Sequence, residues 1–113
     1  LPLLYRRADI VLSTSRYETL PGTLIEGIAC GARAVTTSHG GQSDIVTDTS
    51  LGSLCPDDPK AIASAIDAQL AERASCRAIA ADRAAMHTAI ADRFAASAIA
   101  DRFLSLLNSR PQQ

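Results

Sequence analysis

The run Asp9-Ile10-Val11-Leu12-Ser13-Thr14 constrains this chain most. A short apolar stretch between polar residues is the pattern of a strand buried on both faces, which occurs in parallel sheets. The residues after it set the topology. From Pro21 to Cys30 the apolar positions Leu24, Ile25, Ile28 and Ala29 form one helical stripe. Pro21 has the fixed φ suited to a first helical position, and Gly31 supplies a left-handed stop. Ala34 to Thr37 reads as the next strand. Strand, helix and strand with short links make a βαβ unit, whose crossover is right-handed. Around it, Leu3 to Ala8 reads as the end of a helix and Gln42 to Val46, after a turn at Gly40-Gly41, as a short helical segment. Gly52 to Cys55 is the candidate for a third strand.

Beyond Cys55 the pattern turns helical. Asp58 is placed as an N-cap with Pro59 at the first helical position. Ile62, Ile66 and Leu70 fall four apart with Ala65 between them, which predicts a buried face. A second, Ala-rich helix is expected from Ala74 to Ile90, with Ile79, Met86 and Ile90 as its apolar positions. A third runs from about Ala95 to Asn108 with Ile99, Phe103, Leu106 and Leu107, and Met86 and Phe103 are read as core. Pro111 and the glutamines after it make a loose tail. The string Ala-Ile-Ala-Asp-Arg-Phe occurs at 89–94 and again at 98–103, but a spacing of nine fits no solenoid period and reads as coincidence.

The fold class is therefore α/β: a Rossmann-like partial parallel sheet flanked by helices, with an α/β half at 1–58 and a helical half at 59–110. A parallel strand normally has neighbours on both sides. So short a sheet leaves an edge open, and further strands of the same domain are expected upstream of Leu1. At 113 residues the chain amounts to one modest domain.

A net charge of −1 argues against a general nucleic-acid binder, which needs a basic surface. No apolar run approaches the roughly 20 residues of a membrane span, and no signal peptide pattern is present. Cys30, Cys55 and Cys76 stand far apart without a CxxC, as small buried hydrophobes of a reducing compartment. These features together read as cytoplasmic. Asp57-Asp58 lacks a third acid at ligand spacing, so no metal site is expected there.

The chemistry is concentrated in Ser15-Arg16-Tyr17-Glu18-Thr19-Leu20-Pro21-Gly22-Thr23-Leu24-Ile25-Glu26. This stretch follows a parallel strand and opens a helix, where open α/β sheets place their ligands. The first turn of a helix has unpaired N–H groups and the positive end of the helix dipole. Pro21 has no N–H, but Leu20, Gly22 and Thr23 do, and Gly22 keeps that surface bare. A phosphate is the natural guest. Glu18 sits in the loop beside this position. Glu26, four residues after Gly22, shares its helical face and leans back toward the N-terminus. The rise from Pro21 to Glu26 is roughly 7 Å, about the reach from a nucleotide's phosphate to its ribose. Two acids would repel a diphosphate, so they make sense as readers of hydroxyls. His39 and Arg16 are read as polar surface residues near this edge, and Gly40-Gly41 as a turn that also lies close to the ligand.

Glu18, seven residues and Glu26 resemble the E-x7-E signature of the two-lobed (GT-B) retaining glycosyltransferases of family 4. Ser15 to Gly31 is similar to that family's run S-x-x-E-G-L-P-x-V-L-I-E-A-M-A-C-G. Ala34 to Val46 resembles its P-V-V-A-T-x-x-G-G-x-x-E-I-V. Gly52 to Ile66 resembles G-x-L-x-P-x-D-P-x-x-L-A-x-A-I, and Phe94 to Leu107 the terminal F-S-W-x-x-I-A-x-x-L-L-x-L. Four blocks in order span nearly the whole chain. The resemblance implies the donor-binding, C-terminal lobe of a hexosyl-type enzyme that moves a sugar from a nucleotide-diphosphate donor to an acceptor hydroxyl with retention. It implies Glu18, Thr19, Leu20, Gly22, Thr23 and Glu26 as substrate-binding residues, with Glu18 on the sugar hydroxyls as the candidate catalytic residue and Glu26 on the ribose. No cofactor and no metal is implied. The partners expected are the sugar nucleotide and an N-terminal acceptor lobe, and a peripheral membrane association of the parent is compatible with both.

Thr19 departs from the family's Gly, Arg33 from its Pro and Asp44 from its Glu. The upstream basic residues that face the diphosphate in that family are absent from this stretch, so the piece by itself is expected to be inactive. Three rivals fit the same pattern: a non-catalytic nucleotide-binding module, a structural α/β domain with both glutamates solvated, and a sugar-nucleotide epimerase. The last would isomerise a donor with no acceptor present.

Overall fold

The computed structural model describes residues 1–109. Three parallel strands stand in the order β1 (Ile10–Ser13), β2 (Arg33–Thr37) and β3 (Gly52–Cys55). β2 is central and buried along its length, whereas β1 and β3 each pair on one side among the described residues. The helices are α1 (Pro2–Arg7), α2 (Gly22–Ala29), α3 (Gln42–Ile45), α4 (Pro59–Ser75), α5 (Ile79–Phe94) and α6 (Ala96–Asn108). The fold is thus the α/β arrangement expected, with a partial parallel sheet and C-terminal helices. The tail at Pro111 to Gln113 lies outside the described residues.

One core holds the sheet to its helices. Val11 and Ala34 from the strands, Leu24 and Ile28 from α2, Ile45 from α3, Leu51, and Met86 and Ile90 from α5 are all buried together. α2 lies tight on β1, since a Cβ at Gly27 would stand 2.8 Å from Val11. Gly31 adopts φ 89° and ends α2 as its sequence position requires. Pro21 is the N-cap and not the first helical residue: its ψ of 94° is extended, and its carbonyl accepts from Leu24 and Ile25.

α4 begins as expected. The Asp58 carboxylate accepts from the Ala61 amide at 2.9 Å, with Pro59 opening the helix. Asp58→Ala should cost about 1 kcal/mol, read as a lower urea midpoint with an unchanged slope; an unchanged midpoint would mean that Pro59 alone starts the helix.

The buried face of α4 differs from the expected one. Leu70 is exposed, while Gln69 and Arg73 are buried and Ile62 and Ile66 are half-buried. Polar partners explain the rotation. Gln69 donates to Ser53 Oγ on β3 at 2.6 Å and accepts from Arg33 at 3.4 Å. Asp82 of α5 takes Arg33 at 3.3 Å and Arg73 at 3.1 Å, and Arg73 also donates to the Gly31 carbonyl. Arg33 is therefore the buried centre of a charged cluster that joins β2, α4 and α5. Burial, and next the neighbouring Arg83, push the Arg73 guanidinium below its usual basicity.

The helix expected over 74–90 is displaced. α4 continues to Ser75, Cys76 to Ala78 form a link, and α5 runs from Ile79 to Phe94. Ile79 is exposed, while Met86 and Ile90 are core as expected. α5 also presents donors to the ends of other helices. Arg83 donates to the carbonyls of Arg6, Ala8 and Cys30 at 3.2–3.3 Å. His87 Nδ1 meets Ala29 O at 2.9 Å, and Arg93 donates to Ile45 O at 3.0 Å and to Asp44 O. Cationic groups at carbonyl ends also suit the helix dipole.

Phe103 is not a core residue. It is 62% exposed, and Ile99, Leu104, Leu106 and Leu107 are exposed with it, because α6 packs on α5 and leaves this face uncovered. The repeated string shows the same contrast: Ile90 is buried and Ile99 open. The three cysteines are free, and burial pushes the Cys55 thiol up. Among the described residues no helix is long and apolar enough to cross a membrane.

Candidate functional site

All three strands point the same way, so the loops after them gather at one sheet edge: 14–21 after β1, 38–41 after β2 and 56–58 after β3. The first two loops are joined through their backbones. Glu18 and Gly40 form a parallel bridge, and the Gly41 amide donates to Glu18 O at 2.9 Å. Only glycine permits this approach. A Cβ at Gly40 would stand 2.2 Å from Glu18 O, and one at Gly41 would stand 1.9 Å from Thr19 O; Gly40 also needs its φ of 110°. The Gly40-Gly41 turn is thus the abutment of the loop that carries Glu18 and Thr19.

Deeper in the loop, Thr37 Oγ1 donates to Ser15 O at 2.9 Å, and the buried Gln42 donates to the same carbonyl at 3.4 Å. The Gln42 Oε1 is buried without a partner among the described residues. These two residues position the loop and went unnoticed in the sequence. The signal was available: both flank the Gly-Gly turn at a strand end.

Glu18 is half-buried, and among the described residues no protein group hydrogen-bonds its carboxylate. Thr19 and Leu20 are exposed beside it. α2 has no side-chain cap, and the amides of Gly22 and Thr23 make no hydrogen bond among the described residues. A Cβ at Gly22 would meet nothing within 4 Å. The start of α2 is therefore an open, positively polarised surface, and the loop that leads into it carries the unengaged Glu18 carboxylate. Glu26 lies exposed on α2, on the flank facing α1, where partial burial and its carboxylate raise the Tyr5 phenol. Tyr5 is a further neighbour the sequence did not announce.

Asp57 joins the edge in an unexpected way. One oxygen, Oδ2, accepts from Arg16 Nε at 3.0 Å and lies 3.8 Å from His39 Nε2. Arg16 and His39, read from sequence as separate surface residues, share a partner from the third loop. Among the described residues no group of three or more His, Cys, Asp or Glu is gathered. A hollow of about 270 Å³ lies elsewhere, along β3 between Val46 and Thr49 on one side and Gly52 to Leu54 on the other.

An edge of this kind suits a ligand that offers an anionic group to amides and hydroxyls to a carboxylate. No curated protein and no solved structure matches the chain. The model of one family does, that of the glycosyl transferases of group 1, over residues 1–86.

Proposed function

The chain belongs to the group 1 glycosyltransferases, and from that membership we propose that it is the donor-binding part of an enzyme transferring a hexosyl group from a nucleotide-diphosphate sugar to an acceptor hydroxyl, with retention of configuration. The diphosphate rests on the amides of Leu20, Gly22 and Thr23. Glu18 accepts from the hydroxyls of the sugar and Glu26 from those of the ribose, with Thr19 lining the sugar side. No metal is required for this grip, because backbone dipoles meet the phosphate charge. The acceptor falls to a second lobe, and the balance of the leaving-group charge to basic residues outside this stretch.

The observation that carries this reading is the bare start of α2, reached directly from the loop that carries the unengaged Glu18. Gly22→Leu tests it. Open space around Gly22 means that the larger side chain fits without strain. It would nevertheless cover the amides, weakening nucleoside diphosphate binding roughly tenfold or more by calorimetry, the order expected for losing charge-assisted hydrogen bonds. Undiminished binding of every nucleoside diphosphate tried would remove the phosphate from this helix start.

A further inference from the structure

The three loops at the sheet edge are not held alike. Those after β1 and β2 share backbone hydrogen bonds through Glu18, Gly40 and Gly41, and the side chains of Thr37 and Gln42 reinforce the pair. Among the described residues the loop after β3 has no such backbone tie. Its links to the other two are the contacts of Asp57 Oδ2 with Arg16 at 3.0 Å and with His39 at 3.8 Å. The neighbouring Asp58 is spent on capping α4, so Asp57 stands on the rigid start of a 17-residue helix. Arg16 lies two residues before Glu18 and His39 directly before Gly40. One carboxylate oxygen on a fixed support therefore touches both loops just outside the point where they bridge.

We propose that Asp57 is a positioning residue: it braces the joined loops against the α4 start and so holds the Glu18 carboxylate in place. The idea rests on the donor-binding reading only for what Glu18 holds. The brace itself is a property of the loops. Arg16 is 85% exposed at its side chain and Asp57 30%, so the contact is a modest one by the usual worth of exposed ion pairs. A small restraint is enough where the element it restrains carries a group that must be placed to within a fraction of an ångström.

Amide hydrogen exchange of the full chain without nucleotide tests the brace. Asp57→Asn should speed exchange about threefold to fivefold, the ceiling for an exposed pair, in peptides covering 14–20 and 38–41. The strands and α4 should not change. The reversed pair, Arg16→Asp with Asp57→Arg, should return most of the protection, which loss of a merely structural aspartate would not allow. Unchanged exchange in both loops overturns the proposal, and so does an increase spread evenly over the whole chain. In a second arm, UDP, GDP and ADP are titrated into wild type and Asp57→Asn. A nucleotide bound by the wild type should bind the variant a few-fold more weakly, and equal affinity overturns the link between brace and ligand. If the wild type binds none of the three, the donor reading loses its support while the exchange result still decides the brace.

Discussion

Replacing Glu18 by Gln should cut sugar transfer by roughly 10- to 100-fold in kcat/KM, because a charged acceptor of hydroxyl protons becomes a neutral one. The thermal midpoint should barely move, since among the described residues no protein donor engages this carboxylate. Glu26→Ala should act differently, weakening nucleoside diphosphate binding itself by roughly tenfold. The split comes from the proposed division of labour, in which Glu26 reads a part of the donor that the free nucleotide retains and Glu18 reads the part it lacks. A transfer assay with the intact parent and parallel calorimetry would check both. Wild-type rates for Glu18→Gln would end its candidacy as the residue on the transferred sugar. An equal fall in free-nucleotide affinity for the two variants would undo the assignment of separate roles.

The second large effect is on stability. Asp82→Asn leaves Arg33 and Arg73, each about 5% exposed at the side chain, facing one another with their shared counter-ion removed. Removing one partner from a buried charge cluster typically costs roughly 3 kcal/mol or more, which in a domain of this size lowers the thermal midpoint by roughly 15 °C. Adding Arg33→Met to the same variant should recover part of the loss, because it withdraws one of the stranded cations and keeps apolar volume. Calorimetric melting of the two variants checks the pair. A shift within a few degrees for Asp82→Asn would mean that water reaches the cluster and screens it.

Much of the sheet half was legible in the sequence, and for physical reasons. The strand at Ile10–Ser13, the helix opened by Pro21 and Gly22, and the left-handed Gly31 are set by local chemistry. The candidate site was legible as a stretch of chain for the same reason, since a helix start after a parallel strand is a local pattern. Its walls were not. Gly41 against Thr19, Thr37 on Ser15 and Asp57 between Arg16 and His39 are contacts between residues far apart in sequence. No periodicity encodes them.

The helical half was harder to read. Between Ala74 and Ile90 there is neither Gly nor Pro, and alanine favours helix everywhere. The break at Cys76 to Ala78 is therefore set by packing, with Met86 and Ile90 drawn into the core under α2. On α4 the apolar spacing pointed to Leu70, yet the interior at that level is polar and took Gln69 and Arg73 instead. On α6 the apolar stripe is real but has nothing in the described chain to cover it. Periodicity tells which face is apolar, not whether a neighbour arrives to meet it.

The reach of α5 bears on how the protein can be divided. Its Arg83, His87 and Arg93 satisfy carbonyls at the ends of α1, α2 and α3, and the last two of these side chains lie past the stretch matched to the family. A clone stopped at residue 86 would keep the whole matched stretch and still strip the Ala29, Asp44 and Ile45 carbonyls of their donors. The useful boundary for expression is set by which side chains satisfy the helix ends, and it falls later than the extent of the family match alone would suggest.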